Sequence, residues 1–228
     1  MQRRKFTSVV LSVAGWGAWG RSWAAGLTET DAASGIRAAL ERGAVSAVGL
    51  LGKTDGFLGN PKVHIPLPSF LNDVARLLRA TGQQKRVDAL ETALNRAAEA
   101  AVPEAKSLLV GAVKGMSVED AKQVLTGGDN SVTQFFINKT RESLGVKFLP
   151  IVTRATEKVA LVDKYNAVAG KAAGFGLLKP QDASIQSYVT EKALDGLYLM
   201  IGEEEKKIRD NPLATGSAIL KKVFGSLK

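Results

Sequence analysis

Hydrophobic residues recur every three or four positions along most of the chain, which is the spacing of one face of an α-helix. The longest uninterrupted example lies between Ser187 and Asn211. Its apolar positions are Val189, Ala193, Leu197, Met200, Ile201 and Ile208. This pattern predicts a long helix with one buried face, which ends at Asn211 because Pro212 follows.

Three consecutive glutamates lie near the end of this predicted helix. Glu203 precedes Lys207 by four positions and Glu205 precedes Arg209 by four, so we expect both pairs on the solvated side. By helical spacing, Glu204 falls on the apolar face instead. Either Glu204 lies at the edge of that face and reaches water or Lys207, or it is a buried carboxylate that contacts a ligand.

Shorter helical patterns, separated by glycine and proline, account for most of the remaining chain. Predicted helices cover residues 28–51, 68–81, 83–102, 103–115 and 117–125. From Ser131 to Val159 the pattern fits two or three helices, with Gly145 and Pro150 as breaks. Further helices are expected around Tyr165 and over residues 217–227. A flexible connector from Gly170 to Asp182 precedes the long helix, and its apolar residues are expected to cover the core: Phe175, Leu177 and Leu178. The prediction is an all-α, single multi-helix globular domain.

One long segment, KTDGFLGNPKVHIPLP from Lys53 to Pro68, cannot be helical because glycine and proline interrupt it repeatedly. Its apolar residues predict an irregular loop that packs onto the helices. Loops of this length in compact domains are often functional. The candidate ligand-binding residues are therefore Phe57, Asn60 and His64 of the loop with Arg96, Glu203 and Glu204 of the helices. For His64, the alternative is a loop histidine bonded to backbone.

The composition excludes several kinds of chemistry. The chain has no cysteine and one histidine, so thiol nucleophiles, sulfur-ligated metals and helix-borne pairs of histidine ligands are absent. No Gly-x-Ser-x-Gly turn is present to support a hydrolase. We expect no catalytic residues, no bound metal and no cofactor, although a carboxylate-based hydrolase or metal-dependent enzyme that uses Glu203 and Glu204 stays open as an alternative.

The amino terminus has the three parts of a signal peptide. These are a basic start at Arg3, Arg4 and Lys5, an apolar middle from Val9 to Gly20, and small residues at Ser22 and Ala24. We expect residues 1–24 to be cleaved, by either the twin-arginine or the general secretory route, leaving a periplasmic chain 25–228 without a transmembrane anchor. Cleavage removes four basic residues and no acid, so the formal net charge falls from +9 to +5, too ordinary to indicate nucleic-acid binding.

Four stretches are together similar to a known family: GFLGNPKVHIPLP (56–68), LETALNRAAEAAVPEAK (90–106), VLTGGDNSVTQFF (124–136) and VTEKALDGLYLMIGEEEKKIRDNP (189–212). They resemble exported bacterial proteins, mainly of Gram-negative bacteria, that form a family of unknown function. The resemblance implies a single domain behind a signal peptide, and it implies no activity.

Three classes of function follow from these patterns. The first is a non-enzymatic periplasmic protein that binds an apolar or amphipathic ligand, such as a lipid, or an envelope protein. The second is the carboxylate-based enzyme, and the third is a structural or assembly protein of the cell envelope.

Overall fold

The structure, a computed structural model, describes residues 29–179 and 182–211, and the regular secondary structure within these ranges is helical. The helices are α1 (Glu29–Leu51), α2 (Asn72–Ala80), α3 (Gln84–Ala101), α4 (Ala105–Lys114), α5 (Val118–Thr126), α6 (Ser131–Thr156), α7 (Ala160–Gly174) and α8 (Ile185–Asp210). Short 3-10 turns at Ser69–Leu71 and Val102–Glu104 precede α2 and α4. The all-α prediction is confirmed. The expected signal peptide and the helix expected over 217–227 lie outside the described residues.

The long carboxyl-terminal helix α8 is the centre of the packing. It lies along α6 and also contacts α1 and α3, while α1 packs on α4 and α5. Its side chains Val189, Ala193, Leu194 and Leu197 are fully buried. The apolar face predicted from spacing therefore forms the interior of the domain, as the hydrophobic effect requires of a continuous apolar stripe.

The two or three helices expected after Ser131 are in fact one helix, α6, so the predicted breaks at Gly145 and Pro150 are both wrong. Proline removes one backbone donor, so the carbonyl of Val146 loses its helical partner. Val146 is 73% exposed, so water can reach this part of the helix surface. On the opposite face, Leu144 and Phe148 are fully buried, and their packing keeps the helix continuous across the proline.

A capped helix start was also predictable, at Ser117. Its Oγ accepts a hydrogen bond from the Asp120 backbone nitrogen at 2.9 Å, and the Ser117 nitrogen donates to Asp120 Oδ2 at 3.0 Å. These hydrogen bonds lower the pKa of the Asp120 carboxyl because they favour its charged form. The reciprocal pair is a capping box, and it fixes where α5 begins.

The irregular segment between α1 and α2 packs into the core, as its apolar residues predicted. Phe57 and Ile65 are essentially inaccessible to solvent. The Phe57 ring lies against the backbone of α8 at Gly196, where a Cβ atom would be 2.8 Å from Phe57 Cε1. Gly196 is therefore required for this close approach between loop and helix.

The connector after α7 differs from the prediction. Phe175 is 82% exposed and Leu177 is 76% exposed, so these residues do not cover the core. Only Leu178 packs partly against it. The sequence shows that the connector is apolar, but it does not show which of its apolar side chains are buried.

Candidate functional site

Five of the six sequence-predicted candidates belong to contacts that hold the irregular segment in place. Phe57 is buried in the core, and its backbone nitrogen donates to Glu99 Oε1 at 3.0 Å. The Leu58 nitrogen donates to the same oxygen at 3.1 Å. Arg96 donates to Glu99 Oε2 at 2.6 Å and to Asp55 Oδ1 at 2.8 Å. The buried Glu99 carboxylate is thus fully hydrogen-bonded, as a buried charge must be.

A second contact between α3 and this segment is made by Asn95, which is completely buried. Its Oδ1 accepts from the Ile65 nitrogen at 2.8 Å, and its Nδ2 donates to the Ile65 carbonyl at 2.9 Å. One turn earlier, Glu91 Oε1 lies 3.3 Å from His64 Nε2. Glu91, Asn95 and Glu99 follow one another at steps of four, so a single face of α3 binds the segment along its length.

The segment also reaches α8, through a charged pair at the surface. The Lys62 ammonium lies 2.7 Å from Glu203 Oε2 and lowers the pKa of the Glu203 carboxyl. Asn60 Oδ1 accepts from the Lys62 backbone nitrogen at 3.2 Å, a local turn contact. Glu203 therefore pairs with the loop, and the prediction that it pairs with Lys207 is wrong.

The buried glutamate of α8 is Glu205, and Glu204 lies at the edge of the apolar face. Glu204 Oε1 accepts from Lys207 Nζ at 2.6 Å, which is the first of the two interpretations offered for it. Glu205 is 3% exposed. It pairs with Arg209 as expected, but the prediction that this pair is solvated is wrong.

The partners of Glu205 explain why the helical pattern misplaced it. Its carboxylate accepts from the backbone nitrogens of Val132 and Thr133 at 3.1 and 3.0 Å. Arg209 in turn donates to the Val124 carbonyl and to Ser131 Oγ. The end of α5 and the first turn of α6 therefore cover a side of α8 whose residues are polar, and the sequence of α8 alone does not indicate this contact.

An apolar cavity of about 280 Å³ lies between α2, α3 and α7. Ala75 of α2 and Val87 and Leu90 of α3 are buried side chains in its walls. Lys164 and Tyr165 of α7 supply the polar atoms of the lining. None of the six sequence-predicted residues contributes to it. In the sequence, the apolar residues of α2 and α7 that line the cavity recur at helical spacing. Each pattern taken alone indicates only an ordinary buried helix face, so neither one predicts a cavity.

The two polar groups of this cavity differ in what they offer a ligand. The Tyr165 hydroxyl donates to the Asp182 carbonyl at 2.7 Å, so its hydrogen is already used. Lys164 is exposed and makes no ion pair with a described acid. The arrangement is an apolar interior with a single positive charge at its edge, which suits a molecule with an apolar chain and a negative end.

A second concavity, of about 750 Å³, runs between α6 and α8 and is open and charged. Three cationic residues line it, and one of them, Arg141, lies 2.6 Å from Glu191 Oε2 and 2.8 Å from Asp195 Oδ1. The guanidinium also lies 5.8 Å from the centre of the Tyr198 ring. Arg141 is neutralised by two carboxylates and Arg209 pairs with Glu205, while the exposed Lys206 borders an open and polar groove. The groove therefore offers an apolar chain less than the cavity beside Lys164 does.

Metal-binding clusters and membrane-spanning helices are both absent from the part of the chain that the structure describes. Within residues 29–179 and 182–211, no three side chains of the metal-ligating types are arranged to share an ion. In the same ranges, no helix combines the length and the hydrophobicity needed to cross a bilayer.

Comparison with known families agrees with the resemblance seen in the four sequence motifs. The profile of a family described as a protein of unknown function, DUF4197, matches residues 26–225. The chain belongs to the DUF4197 family. No curated protein and no solved structure matches it significantly. The DUF4197 match extends over every described helix and both sides of the apolar cavity.

Proposed function

We propose that this DUF4197 protein is an exported, non-enzymatic binding protein that holds the acyl chain of an anionic amphiphile between α2, α3 and α7. The observation that carries the proposal is the apolar cavity with Lys164 at its edge. Cavities of roughly 150 Å³ lined by aliphatic side chains already bind molecules the size of benzene. At about 280 Å³, the cavity is large enough for a longer aliphatic chain.

The chemistry of the lining favours an acyl chain over a polar metabolite. Ala75, Val87 and Leu90 have no polar side-chain atom, so a sugar or nucleotide placed there would leave its hydroxyl groups unpaired at a substantial cost. An aliphatic chain has no polar group to leave unpaired in this environment, and its transfer out of water is favourable. Its carboxylate or phosphate would stay at the edge, within reach of the Lys164 ammonium.

The signal-peptide pattern of residues 1–24 supports placing this activity in the periplasm. Fusing residues 1–24 to a reporter, and deleting them from the protein, tests that part of the proposal by cell fractionation. The protein is expected in the periplasmic fraction with the segment and in the cytoplasm without it. Cytoplasmic location of the intact chain would contradict export.

Ligand binding is tested with two single-chain amphiphiles of equal length, decanoate and decyltrimethylammonium, by calorimetry on the full-length protein. Ala75→Phe fills the cavity and is expected to abolish binding of both. Ala80→Phe places the same ring on an exposed position of the same helix and is the matched control. Equal binding by wild type and Ala75→Phe, with both variants folded, would refute the proposed site.

The charge preference is tested separately at Lys164. Lys164→Gln is expected to weaken decanoate binding by roughly five-fold and not to weaken decyltrimethylammonium binding, since one partly exposed ion pair contributes on the order of 1 kcal/mol. Lys147→Gln removes an exposed lysine of α6 that does not line the cavity and is expected to change neither affinity. An equal effect of the two lysine substitutions would show that Lys164 has no special role.

A further inference from the structure

The end of α7 presents apolar side chains to solvent beside positive charges. Phe175 and Leu177 are 82% and 76% exposed. Lys171 and Lys179 are exposed on either side of them, and neither makes an ion pair with a described acid. The stretch 164–179 contains three lysines and no acidic residue. We call residues 171–179, KAAGFGLLK, the α7 tip.

The backbone geometry of the α7 tip keeps these side chains outside the core. The Leu177 nitrogen donates to the Ala172 carbonyl and the Gly176 nitrogen donates to the Ala173 carbonyl, both at 2.9 Å. With Gly176 at φ +74°, this is the Schellman arrangement that ends many helices. In that motif the residue after the glycine usually packs back on the helix. Leu177 does not, because it remains largely exposed.

From this exposed tip we infer that the α7 tip docks on the surface of an anionic lipid bilayer. Exposed aromatic and aliphatic side chains at a sharp turn enter the region between headgroups and acyl chains, and flanking lysines bind acidic headgroups. The α7 tip itself contains two lysines and no acid, so its charge matches an anionic bilayer in sign. This inference rests on the tip and does not depend on a ligand in the cavity.

The size of the exposed surface favours a bilayer over a protein partner. A stable protein–protein interface needs roughly 800 Å² on each side, contributed by some 20–30 residues. The apolar part of the α7 tip consists of two large side chains, which is far less. A bilayer needs no such matched surface, because two inserted side chains and the adjacent lysines act independently.

The tip is tested by placing a polarity-sensitive dye on it. Because the chain has no cysteine, Phe175→Cys gives a single labelling site in the full-length protein. Labelled protein is mixed with vesicles of phosphatidylcholine, with or without phosphatidylglycerol. The dye is expected to move into an apolar environment only with the anionic vesicles, and added salt is expected to reverse this. Val146→Cys, at a comparably exposed position on α6, is the matched control and is expected to stay in water.

Two unlabelled variants complete the test by measuring vesicle affinity. Each lysine near an anionic surface changes partitioning by roughly five-fold, so Lys171→Gln with Lys179→Gln is expected to weaken binding about 25-fold. Phe175→Ser with Leu177→Ser is expected to weaken it further, while Val146→Ser is not. All variants share the same amino-terminal segment, so its contribution to vesicle affinity is the same in each and cancels in the comparison. A dye at position 175 that stays in water on anionic vesicles, or equal losses in the tip and Val146 variants, would overturn the inference.

Discussion

Glu205 of α8 binds the first turn of α6: its Oε2 lies 3.0 Å from the backbone nitrogen of Thr133 and 3.0 Å from Thr133 Oγ1. The first backbone N–H groups of a helix have no partner within the helix, and the helix dipole favours a negative charge there. A carboxylate from another helix meets both needs. Arg209, on the next turn of α8, balances the buried charge. This contact joins two elements that are far apart in the sequence.

The contrast between adjacent glutamates gives the first prediction. Glu205→Gln is expected to lower the free energy of unfolding by roughly 3 kcal/mol, because it leaves Arg209 without its buried counterion and presents an amide to backbone donors. Glu204→Gln removes only a surface pair with Lys207 and is expected to cost at most about 1 kcal/mol. Urea denaturation of both variants measures the difference. Equal costs would show that Glu205 is not the carboxylate on which the α6–α8 contact depends.

The sequence predicts features that depend on nearby residues. Helical spacing identifies the buried face of α8, and the capping box at Ser117 fixes the start of α5. The irregular segment is also predictable, since glycine and proline prevent a helix and apolar residues require burial. In each case the physical cause lies within a few positions of the effect.

Features that depend on distant residues were not predictable. Pro150 breaks an isolated helix, but packing of Phe148 against the rest of the core keeps α6 continuous. The sequence of α8 predicts that Glu205 is solvated, because it does not indicate that the first turn of α6 covers this side of the helix. The apolar cavity beside Lys164 arises where three helices fail to fill the space between them, and no single helix carries that information.

Attachment of the irregular segment to α3 gives the second prediction. Asn95→Ala leaves the buried N–H and C=O groups of Ile65 unpaired, so the free energy of unfolding is expected to fall by roughly 2–4 kcal/mol. Hydrogen exchange at the Ile65 amide is expected to become faster than in the helices. Asn138→Ala removes an exposed asparagine bonded to Gln134 and serves as the control, with little change expected. Unchanged protection of the Ile65 amide in Asn95→Ala would contradict the role of Asn95.

The contact between Phe57 and α8 gives the third prediction. Gly196→Ala places a methyl group 2.8 Å from Phe57 Cε1 and is expected to cost about 1–3 kcal/mol by overpacking. Gly145→Ala, also within a long helix, meets only Leu194 Cδ1 at 3.9 Å and is expected to stabilise the protein by about 0.5–1 kcal/mol. Thermal unfolding distinguishes the two. Stabilisation by both would mean that the Phe57 ring moves aside freely.

The same pair permits a more specific test. If the clash with Phe57 is the cause, combining Gly196→Ala with Phe57→Leu is expected to cost less than the sum of the two single substitutions. Strict additivity would assign the loss at position 196 to another contact.

Alkaline pH is expected to destabilise the protein through Tyr188. Burial, together with the negative charge of Asp182, raises the pKa of the Tyr188 hydroxyl to about 12. Its hydrogen is donated to the Pro66 carbonyl at 3.0 Å, which keeps the neutral form in the folded state. In the unfolded chain the pKa is about 10. The contribution of Tyr188 is therefore fully present below pH of about 10 and is lost as the pH rises from about 10 to about 12.

The corresponding variant is Tyr188→Phe, compared with wild type by urea denaturation at about pH 8 and about pH 11. At the lower pH it is expected to be less stable by about 1 kcal/mol, because the hydrogen bond to Pro66 is lost. At the higher pH this deficit is expected to shrink or reverse, since phenylalanine has no proton to lose. Lysines that titrate in the same range affect both proteins equally, so the comparison isolates Tyr188. A deficit that stays constant between the two pH values would mean that the Tyr188 hydroxyl ionises as readily in the folded protein as in the unfolded chain.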